Sequence, residues 1–299
     1  MPAKYQRNHV VIVAKAAPPT KKSQPLSGSA RRNADTRMSR SRIRKIHVGT
    51  SGWSYRHWIG PFYPRGLSNA SMLEFYAHRL SSVEVDGTFY RAPEPATLTA
   101  WKRSVPRDFV FAVKANRFIT HMKKLKDPDE TANPFLERIR SLGRKLGPIL
   151  FQLPPRWRYD EARLAAFLAR LSRRFRYAFE FRDTSWHNPR CYALLEHHGA
   201  ACAIYDLERR LSPVVVTADF AYVRLHGPDG AYRGRYEEAA LAGWAETLAR
   251  WSGEGLDTYC YFDNDELGHA VSDCLRLQAL LRDRSASPAE AATDAAYRP

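Results

Sequence analysis

Residues 177–182 read Tyr-Ala-Phe-Glu-Phe-Arg and alternate apolar with charged side chains. In a β-strand this alternation places Phe179 and Phe181 on one face and Glu180 and Arg182 on the other. Strands of a parallel sheet are normally apolar on both faces, because helices cover the sheet. The run therefore predicts a buried strand whose apolar face packs on helices and whose charged face lines an interior site.

Short apolar runs of this kind recur along the chain and alternate with amphipathic stretches of helical period. The eight runs begin near Ile46, Val83, Phe109, Ile149, Tyr177, Ala201, Ala221 and Asp257. Their mean spacing of about 30 residues is the size of one βαβ repeat. Eight parallel strands over residues 46–282 predict an α/β fold, a single TIM-type (β/α)8 barrel, better than an open sheet of five or six strands.

One crossover breaks the pattern. Between Asp206 and Phe220 the helical periodicity weakens, and Pro213 interrupts a Val-rich run. Proline lacks the backbone N–H that a helix interior needs. We therefore expect the crossover helix of this unit to be short or missing.

The two ends of the chain differ in composition from the barrel domain. The formal net charge of the 299 residues is +16, and residues 1–45 hold twelve Lys or Arg against one acid, Asp35. We predict that residues 1–45 form a basic flexible extension, with Met38 as an alternative start of translation. Residues 283–299, rich in Ala, Ser and Pro, are predicted to form a loose tail.

Cysteine spacing and hydropathy point to a cytoplasmic protein. Cys191, Cys202, Cys260 and Cys274 lie far apart, with no C-x-x-C pair. No stretch approaches the roughly 18 apolar residues of a membrane span. We therefore expect no membrane association.

Polar side chains inside the predicted strands are the candidates for chemistry. By strand parity Lys114, Glu180, Arg182 and His226 face the interior near the carboxyl ends of their strands, where barrel active sites are built. We predict these four as catalytic residues. The structural alternative is a paired internal network, in which the acids Glu84, Asp86 and Glu180 balance the bases Lys114, Arg182 and Arg224. Because desolvating each ion is costly, we favour a functional site.

Further residues near the strand ends are predicted to bind substrate. The loop 226–235 is punctuated by glycines and carries two arginines, features that suit a phosphate, although it has no P-loop pattern. Aromatic rings predicted at the opening of the barrel, near the carboxyl ends of the strands, suit stacking on the face of a sugar or a base. The predicted substrate-binding residues are Trp53, Tyr90, Gln152, Trp186, Arg224, Arg233 and Asn264.

We expect neither a metal nor a cofactor. Glu180, Asp206, His226 and Asp263 are ligand types near different strand ends, but no local spacing supports a metal site. The basic residues predicted for the same space would repel a cation.

The motifs together resemble those of the YecE-like family, domain-of-unknown-function family 72. The resemblance spans about residues 46–282 and rests on eight ordered motifs. They are Gly49-Thr-Ser-Gly-Trp-Ser-Tyr55, Phe62-Tyr-Pro64, Val83-Glu-Val85 with Thr88-Phe-Tyr-Arg91, Phe111-Ala-Val-Lys114, Leu150-Phe-Gln-Leu-Pro-Pro155, Phe179-Glu-Phe-Arg182 with Ser185-Trp186, Tyr222-Val-Arg-Leu-His-Gly227 and Tyr261-Phe-Asp-Asn264. The family resemblance implies a TIM-type barrel and brings no established reaction with it. The chain departs from it at Asp86-Gly87, where similar proteins usually have Asn-Ser, and at Asp263, where they have Asn.

Two functions remain open from sequence, beside a non-catalytic scaffold in which substitutions in the pocket would change stability only. The first is an enzyme, a hydrolase or isomerase, that uses acid–base chemistry on a small polar metabolite, phosphorylated or sugar-like. The alternative is a nucleic-acid binding or processing protein that uses the basic tail and the aromatic, arginine-bearing mouth.

Overall fold

The computed structural model describes residues 11–12 and 44–291, and residues 285–291 by their backbone alone. Most of the predicted basic extension, including Met38, lies outside the described residues. Within the extension, Val11–Ile12 forms β1 and pairs in parallel with Val215–Val216.

Strands and helices alternate through the rest of the chain. The further strands are β2 (Ile46–Thr50), β3 (Ser82–Val85), β4 (Val110–Lys114), β5 (Leu146–Gln152), β6 (Tyr177–Glu180), β7 (Ala201–Cys202), β8 (Ile204–Leu207), β9 (Arg210–Leu211), β10 (Val215–Val216), β11 (Phe220–Leu225) and β12 (Asp257–Phe262). The helices are α1 (Met72–Ala77), α2 (Pro95–Arg103), α3 (Pro128–Ile139), α4 (Glu161–Arg170), α5 (Pro189–His198), α6 (Glu238–Gly253) and α7 (His269–Ala291). A π-helical turn, Phe118–Met122, follows β4.

Local sequence explains where these helices begin and end. Asp160 accepts a hydrogen bond from Arg163 N at 2.9 Å and caps α4. Asn188 caps α5 in the same way through Cys191 N, with Pro189 at the first helical position. Helix α5 ends at His198, and Gly199 follows it as the C-cap with a φ of +64°, which suits glycine.

Apart from the pair β1 and β10, the strands form two five-stranded sheets. One has the order β3-β4-β5-β6-β7 and is parallel throughout, and the other has the order β2-β12-β11-β8-β9, in which only β9 is antiparallel. The α/β fold with parallel sheets agrees with the prediction. The ladders do not form one closed sheet of eight strands, so barrel closure stays a prediction.

The two sheets approach each other along two lines. At the first, Ser51 after β2 forms a parallel bridge with Glu84 of β3, and Gly52 N donates to Glu84 O at 2.8 Å. At the second, residues 201–207 pair with β6 through β7 and with β11 through β8. All the parallel strands therefore direct their carboxyl ends toward the same region.

Two clusters of buried side chains form the core. The larger cluster lies between strands and helices and includes Phe179, Phe181 and Phe167 of α4. The smaller cluster draws on both sheets and consists of Ala112, Leu150, Ala178, Ala201, Ala203, Phe220, Tyr222, Tyr259 and Tyr261. Strand parity places the charged candidate residues on the side of this second cluster.

The crossover after β8 agrees with its prediction, whereas the C-terminal tail differs from it in part. Between β8 and β11, where we expected a short or missing helix, the fully described segment holds the short strands β9 and β10 and no helix. The loose tail predicted for residues 283–299 is corrected in part, because α7 continues to Ala291, whereas residues 292–299 lie outside the described residues. The composition argument overlooked that Ala has the highest helix propensity.

Among the described residues, no helix combines the length and apolar character needed to cross a bilayer.

Candidate functional site

Arg224 of β11 lies at the centre of a buried cluster of charges. Its side chain is 1% exposed, and its guanidinium contacts three carboxylates. It donates to Glu84 Oε1 at 2.6 Å, to Glu180 Oε2 at 2.8 Å and to Asp263 Oδ2 at 3.0 Å. Tyr222 and Ser51 also donate to Glu84, at 2.6 and 2.7 Å. Arg224 therefore connects the ends of β3, β6 and β12, and its charge is fully compensated.

Glu180 is completely buried and has hydrogen-bond donors on both oxygens. Gln152 Nε2 donates to Oε1 at 2.9 Å, Arg182 Nε donates to the same oxygen, and Arg224 donates to Oε2. Burial alone would raise the pKa of Glu180, but the adjacent Arg182 and Arg224 hold it well below its usual range. Glu180 is therefore a fixed anion that orients two guanidinium groups, a setting that does not suit the acid–base role we predicted for it.

His226 lies at the same centre and is also fully buried. Its Nε2 is 3.2 Å from both Arg182 Nη2 and Arg224 Nη1. Guanidinium groups only donate, so Nε2 must accept and the ring proton belongs on Nδ1. Nδ1 is 3.0 Å from Asp263 Oδ2 but lacks hydrogen-bond alignment with it. Nδ1 therefore lies beside a carboxylate without forming a hydrogen bond to it.

Lys114 of β4 differs from the other bases of the cluster. Among the described residues, no carboxylate lies within ion-pair distance of its ammonium group, which sits 4.5 Å from the centre of the Phe89 ring. Burial and the positive charge of Arg224 lower the pKa of Lys114, although Glu84 and Asp263 act in the opposite direction. The Lys114 residue as a whole is half-buried.

Asp86 provides a second group with a shifted proton affinity. Burial, followed by the negative charges of Asp263 and Glu84, raises its pKa. Its carboxylate accepts a hydrogen bond from Tyr55 Oη at 3.3 Å. Asp86, Tyr55, Trp53 and Trp101 line an open cleft of about 450 Å³ beside the charged cluster. A cleft of this volume is large enough for a small metabolite.

The arrangement is a poor cation site, because the carboxylates converge on a guanidinium instead. Glu84, Glu180 and Asp263 each bond to Arg224. Within residues 44–284, no group of three or more His, Cys, Asp or Glu is placed to hold a metal ion. Asp206, which we had weighed as a ligand type, accepts from Tyr236 Oη at 3.1 Å instead.

Sequence comparison now identifies the family. A family model described as "Protein of unknown function DUF72" matches residues 47–296. The chain belongs to the DUF72 family. The resemblance noted from the motifs is therefore confirmed, and residues 47–282 of the predicted barrel domain fall within the match.

Relatives of this DUF72 chain include a curated protein and solved structures. It is 30% identical over 237 residues to the UPF0759 protein YecE of Escherichia coli K12, an alignment that covers 69% of this chain and 82% of YecE. A DUF72 family protein from Thermotoga maritima MSB8 has 29% identity and a TM-score of 0.72, and the match covers 80% of this chain and all of that one. A DUF72 family protein from Enterococcus faecalis V583 has 22% identity and a TM-score of 0.66 and shows the fold alone, over 80% of this chain and 98% of that one.

The DUF72 chain brings together some of the predicted site residues and separates others. Glu180, Arg182, His226, Gln152 and Arg224 form the cluster. Trp53 lies in the neighbouring cleft, where its ring packs edge-on against Trp101 at 5.2 Å. Tyr90 and Arg233 are exposed, and Arg233 lies 3.9 Å from Glu266.

Trp186 and Asn264 lie away from the cluster. The Trp186 ring stacks on Phe181 at 4.9 Å, on the helix side of β6, and its Nε1 donates to Trp157 O. Asn264 is buried and uses its amide to hold Gly234 O at 2.8 Å and Asp273 Oδ2 at 2.9 Å. Both were predicted to bind substrate. Trp186 Nε1 and Asn264 Nδ2 are occupied by internal contacts, whereas Asn264 Oδ1 is buried and has no hydrogen-bond partner among the described residues.

The predicted list omitted Glu84, Asp263, Tyr222 and Ser51, all of which bond within the cluster. Strand parity had placed Glu84 on the interior face, and Asp263 had stood out as a departure from the family pattern. Tyr222 gave no signal, since a tyrosine inside an apolar strand is typical of packing.

Proposed function

We propose that this protein is an enzyme of the hydrolase or isomerase type that acts on a small polar metabolite, sugar-like or phosphorylated, at the carboxyl ends of its parallel strands. The substrate would enter through the cleft beside Asp86 and reach Lys114. Acid–base chemistry on such a substrate needs groups whose proton affinities are shifted toward neutrality.

The unpaired ammonium group of Lys114 carries this proposal. Arg182 and Arg224 are committed to internal carboxylates, whereas Lys114 has no ion-pair partner among the described residues. A partly buried cation without a counterion costs free energy that a substrate phosphate or carboxylate would recover. A structural network would instead have given Lys114 a partner.

The surrounding residues suggest a division of roles. Lys114, in its charged form, would hold an anionic group of the substrate and, when neutral, would accept a proton. The raised pKa of Asp86 favours it, over the other carboxylates of the site, as the group that donates a proton. Glu180, with its lowered pKa, would act as a positioning residue for Arg182 and Arg224. Two groups with pKa values shifted toward each other are the usual arrangement for acid–base exchange.

We further propose that the two sheets close into the predicted TIM-type (β/α)8 barrel. The Ser51–Glu84 bridge and the continuous segment 201–207 support closure at the two lines where the sheets meet. Hydrogen bonds across the first line add support, because Tyr261 Oη lies 2.7 Å from Ser82 Oγ. The buried cluster built from both sheets would then be the interior of the barrel.

We place the enzyme in the cytoplasm. Cys191, Cys202, Cys260 and Cys274 are all buried free thiols, which fits a reducing compartment. The predicted partnership of the basic tail with nucleic acid concerns residues outside the described part of the chain, and it stays a prediction.

A thermal-shift screen of the full chain tests the proposed function. Sugars, sugar phosphates and small carboxylates are added one at a time to the wild type, to Lys114→Met and to Lys45→Met, an exposed lysine at the opposite ends of the strands. A ligand at 100 times its Kd should stabilise the fold by about 2.7 kcal/mol. We expect at least one compound to raise the melting temperature of the wild type and of Lys45→Met but not of Lys114→Met.

Turnover of the binding compound is then followed in the three proteins. Loss of turnover in Lys114→Met with retained folding supports the proposal. Equal stabilisation and equal turnover in Lys114→Met and the wild type would contradict it.

A further inference from the structure

A second cleft lies outside the charged cluster. It has a volume of about 530 Å³ and lies between the segment after β4 and the segment after β5. We call it the lysine cleft and define it by Lys123, Lys124, Lys126, Trp157 and Arg163.

The lysine cleft has an excess of positive charge. Lys123 pairs with Asp127 at 3.3 Å, and Asp160, the acid that lines the cleft, caps α4. Lys124 and Lys126 are exposed, and neither forms a side-chain ion pair with any described residue. The cleft therefore presents uncompensated ammonium groups, which attract phosphate oxygens.

The backbone around the cleft is held in an unfavourable conformation. Lys124, Leu125 and Asp127 have φ values of 47°, 62° and 50°, and Arg156, next to Trp157, has a φ of 62°. Non-glycine residues in the left-handed region cluster at ligand sites, because their strain persists only where the surroundings enforce it. Here the strain brings successive lysines to one opening.

Aromatic rings continue from the cleft toward Lys114. The Trp157 ring lies at the cleft, 6.0 Å from Lys124 Nζ. The ring of Phe118 lies 5.8 Å from Lys123 Nζ. Phe118 and His121 belong to the same π-helical turn, and the His121 ring lies 5.0 Å from the ring of Phe89. Phe89 in turn contacts the exposed Tyr90 at 5.1 Å.

The exposed apolar residues share this location. Every large hydrophobic side chain exposed within residues 44–284 lies on a segment that follows the carboxyl end of a strand. They are Ile59, Tyr90, Phe118, Met122, Tyr232 and Leu267. Exposed rings beside lysines suit a partner with both flat apolar faces and negative charges.

We propose that the lysine cleft binds single-stranded nucleic acid, with phosphates on Lys124 and Lys126 and bases stacked on Trp157 and the rings that follow it. Stacking on rings between basic side chains is the general mode of single-strand binding. An acidic peptide would satisfy the lysines but leave the rings without a partner, and a duplex keeps its bases stacked internally. This inference is separate from the enzymatic proposal.

Fluorescence anisotropy with a labelled 12-nucleotide single strand tests the proposal on the full chain. Lys124→Glu/Lys126→Glu is compared with Arg173→Glu/Arg174→Glu, which reverses two exposed charges before β6 at the opposite ends of the strands. The basic residues 1–45 are the same in both variants, so their contribution cancels. Circular dichroism and thermal unfolding check that each variant is folded.

We expect the cleft variant to bind at least about tenfold more weakly at 0.15 M salt, with a salt dependence of log K reduced by about 1.4, or 0.7 for each phosphate that no longer has a lysine partner. Arg173→Glu/Arg174→Glu changes the net charge by the same amount. It should lower the affinity and the salt dependence of log K by less than the cleft variant does. Trp157→Ala should weaken binding by about 5- to 150-fold, and Trp157→Phe should retain most of it.

Three results would overturn the proposal. The first is equal loss of binding in the two double variants, which would indicate attraction by net charge alone. The second is unchanged binding in both the cleft variant and a folded Trp157→Ala. The third is displacement of the strand by a mononucleotide at the same phosphate concentration, which would show that the cleft holds one nucleotide and not a strand.

Discussion

At the scale of single residues, the integrity of the charged cluster depends on Arg224. This guanidinium is the shared partner of Glu84, Glu180 and Asp263, so its removal would leave three carboxylates buried without their counterion. Arg224→Met should lower the free energy of unfolding by about 3–5 kcal/mol, measured by urea denaturation. Arg174→Met, at an exposed position, should stay within about 0.5 kcal/mol of the wild type. A loss below about 1 kcal/mol in Arg224→Met would show that the carboxylates do not need this residue.

The pH dependence of stability tests the state of Glu180. Its pKa in the folded protein is well below the ordinary value of 4.5, because Arg182 and Arg224 outweigh burial. Ionised Glu180 therefore stabilises the fold above pH 4.5, and this contribution is lost as the pH falls through the folded-state pKa. The stability difference between the wild type and Glu180→Gln should be greatest near neutral pH and shrink in acid. A difference that stays constant from neutral to acidic pH in denaturation curves would contradict this assignment.

Sequence parity predicted part of this residue-scale pattern. Alternation along β6 and β11 placed Glu180, Arg224 and His226 on the interior face, as the structure has them. The pairing of Arg224 with Glu84, 140 residues away in sequence, is a tertiary contact that no local pattern encodes. For the same reason the sequence could not show that Lys114 lacks an ion-pair partner among the residues that the structure describes.

At the scale of elements, the approach of β2 to β3 decides how the two sheets meet. Gly49 lies so near β3 that a Cβ atom there would be 2.1 Å from Ser82 O. Gly49→Ala should therefore push the strands apart and lower stability by about 1–3 kcal/mol. The same substitution at Gly87, where a Cβ atom meets nothing within 4 Å, should be neutral or stabilise by up to about 1 kcal/mol. Thermal unfolding measures both, and a harmless Gly49→Ala would remove the support for closure at this line.

The starts of the strands were the part of the fold best predicted from sequence. Strands β2, β6, β7 and β12 begin at the residues expected from their apolar runs, and β3, β4 and β11 begin within one residue of them. Strand β5, expected to begin near Ile149, begins earlier, at Leu146. The segments after the strands were harder to predict. Trp186, for example, packs on the helix side because Phe181 offers a parallel ring there, a contact that depends on the turn at Thr184–Trp186.

At the scale of the whole molecule, the four cysteines report on the compactness of the fold. All are buried, and burial raises the pKa of Cys202 to about 12. Because the thiolate is the reactive form, the native protein should react very slowly with a thiol reagent such as DTNB at about pH 8. In denaturant all 4 thiols should react at once. Rapid modification of the native protein would show that the domain opens easily.

The surface charge is also divided at the whole-molecule scale. The segment after β4 carries Arg117, Lys123, Lys124 and Lys126, whereas the segment after β12 carries Asp265 and Glu266. The overall net charge of +16 hides this division, because much of it lies in residues 1–45. Composition therefore indicated a basic protein but not the face on which folded residues gather positive charge.

The most direct test of the proposed site is the pKa of Lys114, measured by NMR titration of protein labelled with ¹³C at the lysine Cε. We predict a value below the ordinary 10.5, because the ammonium group is desolvated and close to Arg224. Asp263→Asn should lower the value further, since Asp263 favours the charged form. A titration at or above 10.5 that is unaffected by Asp263→Asn would show that Lys114 is an ordinary solvated lysine and would contradict the proposed site.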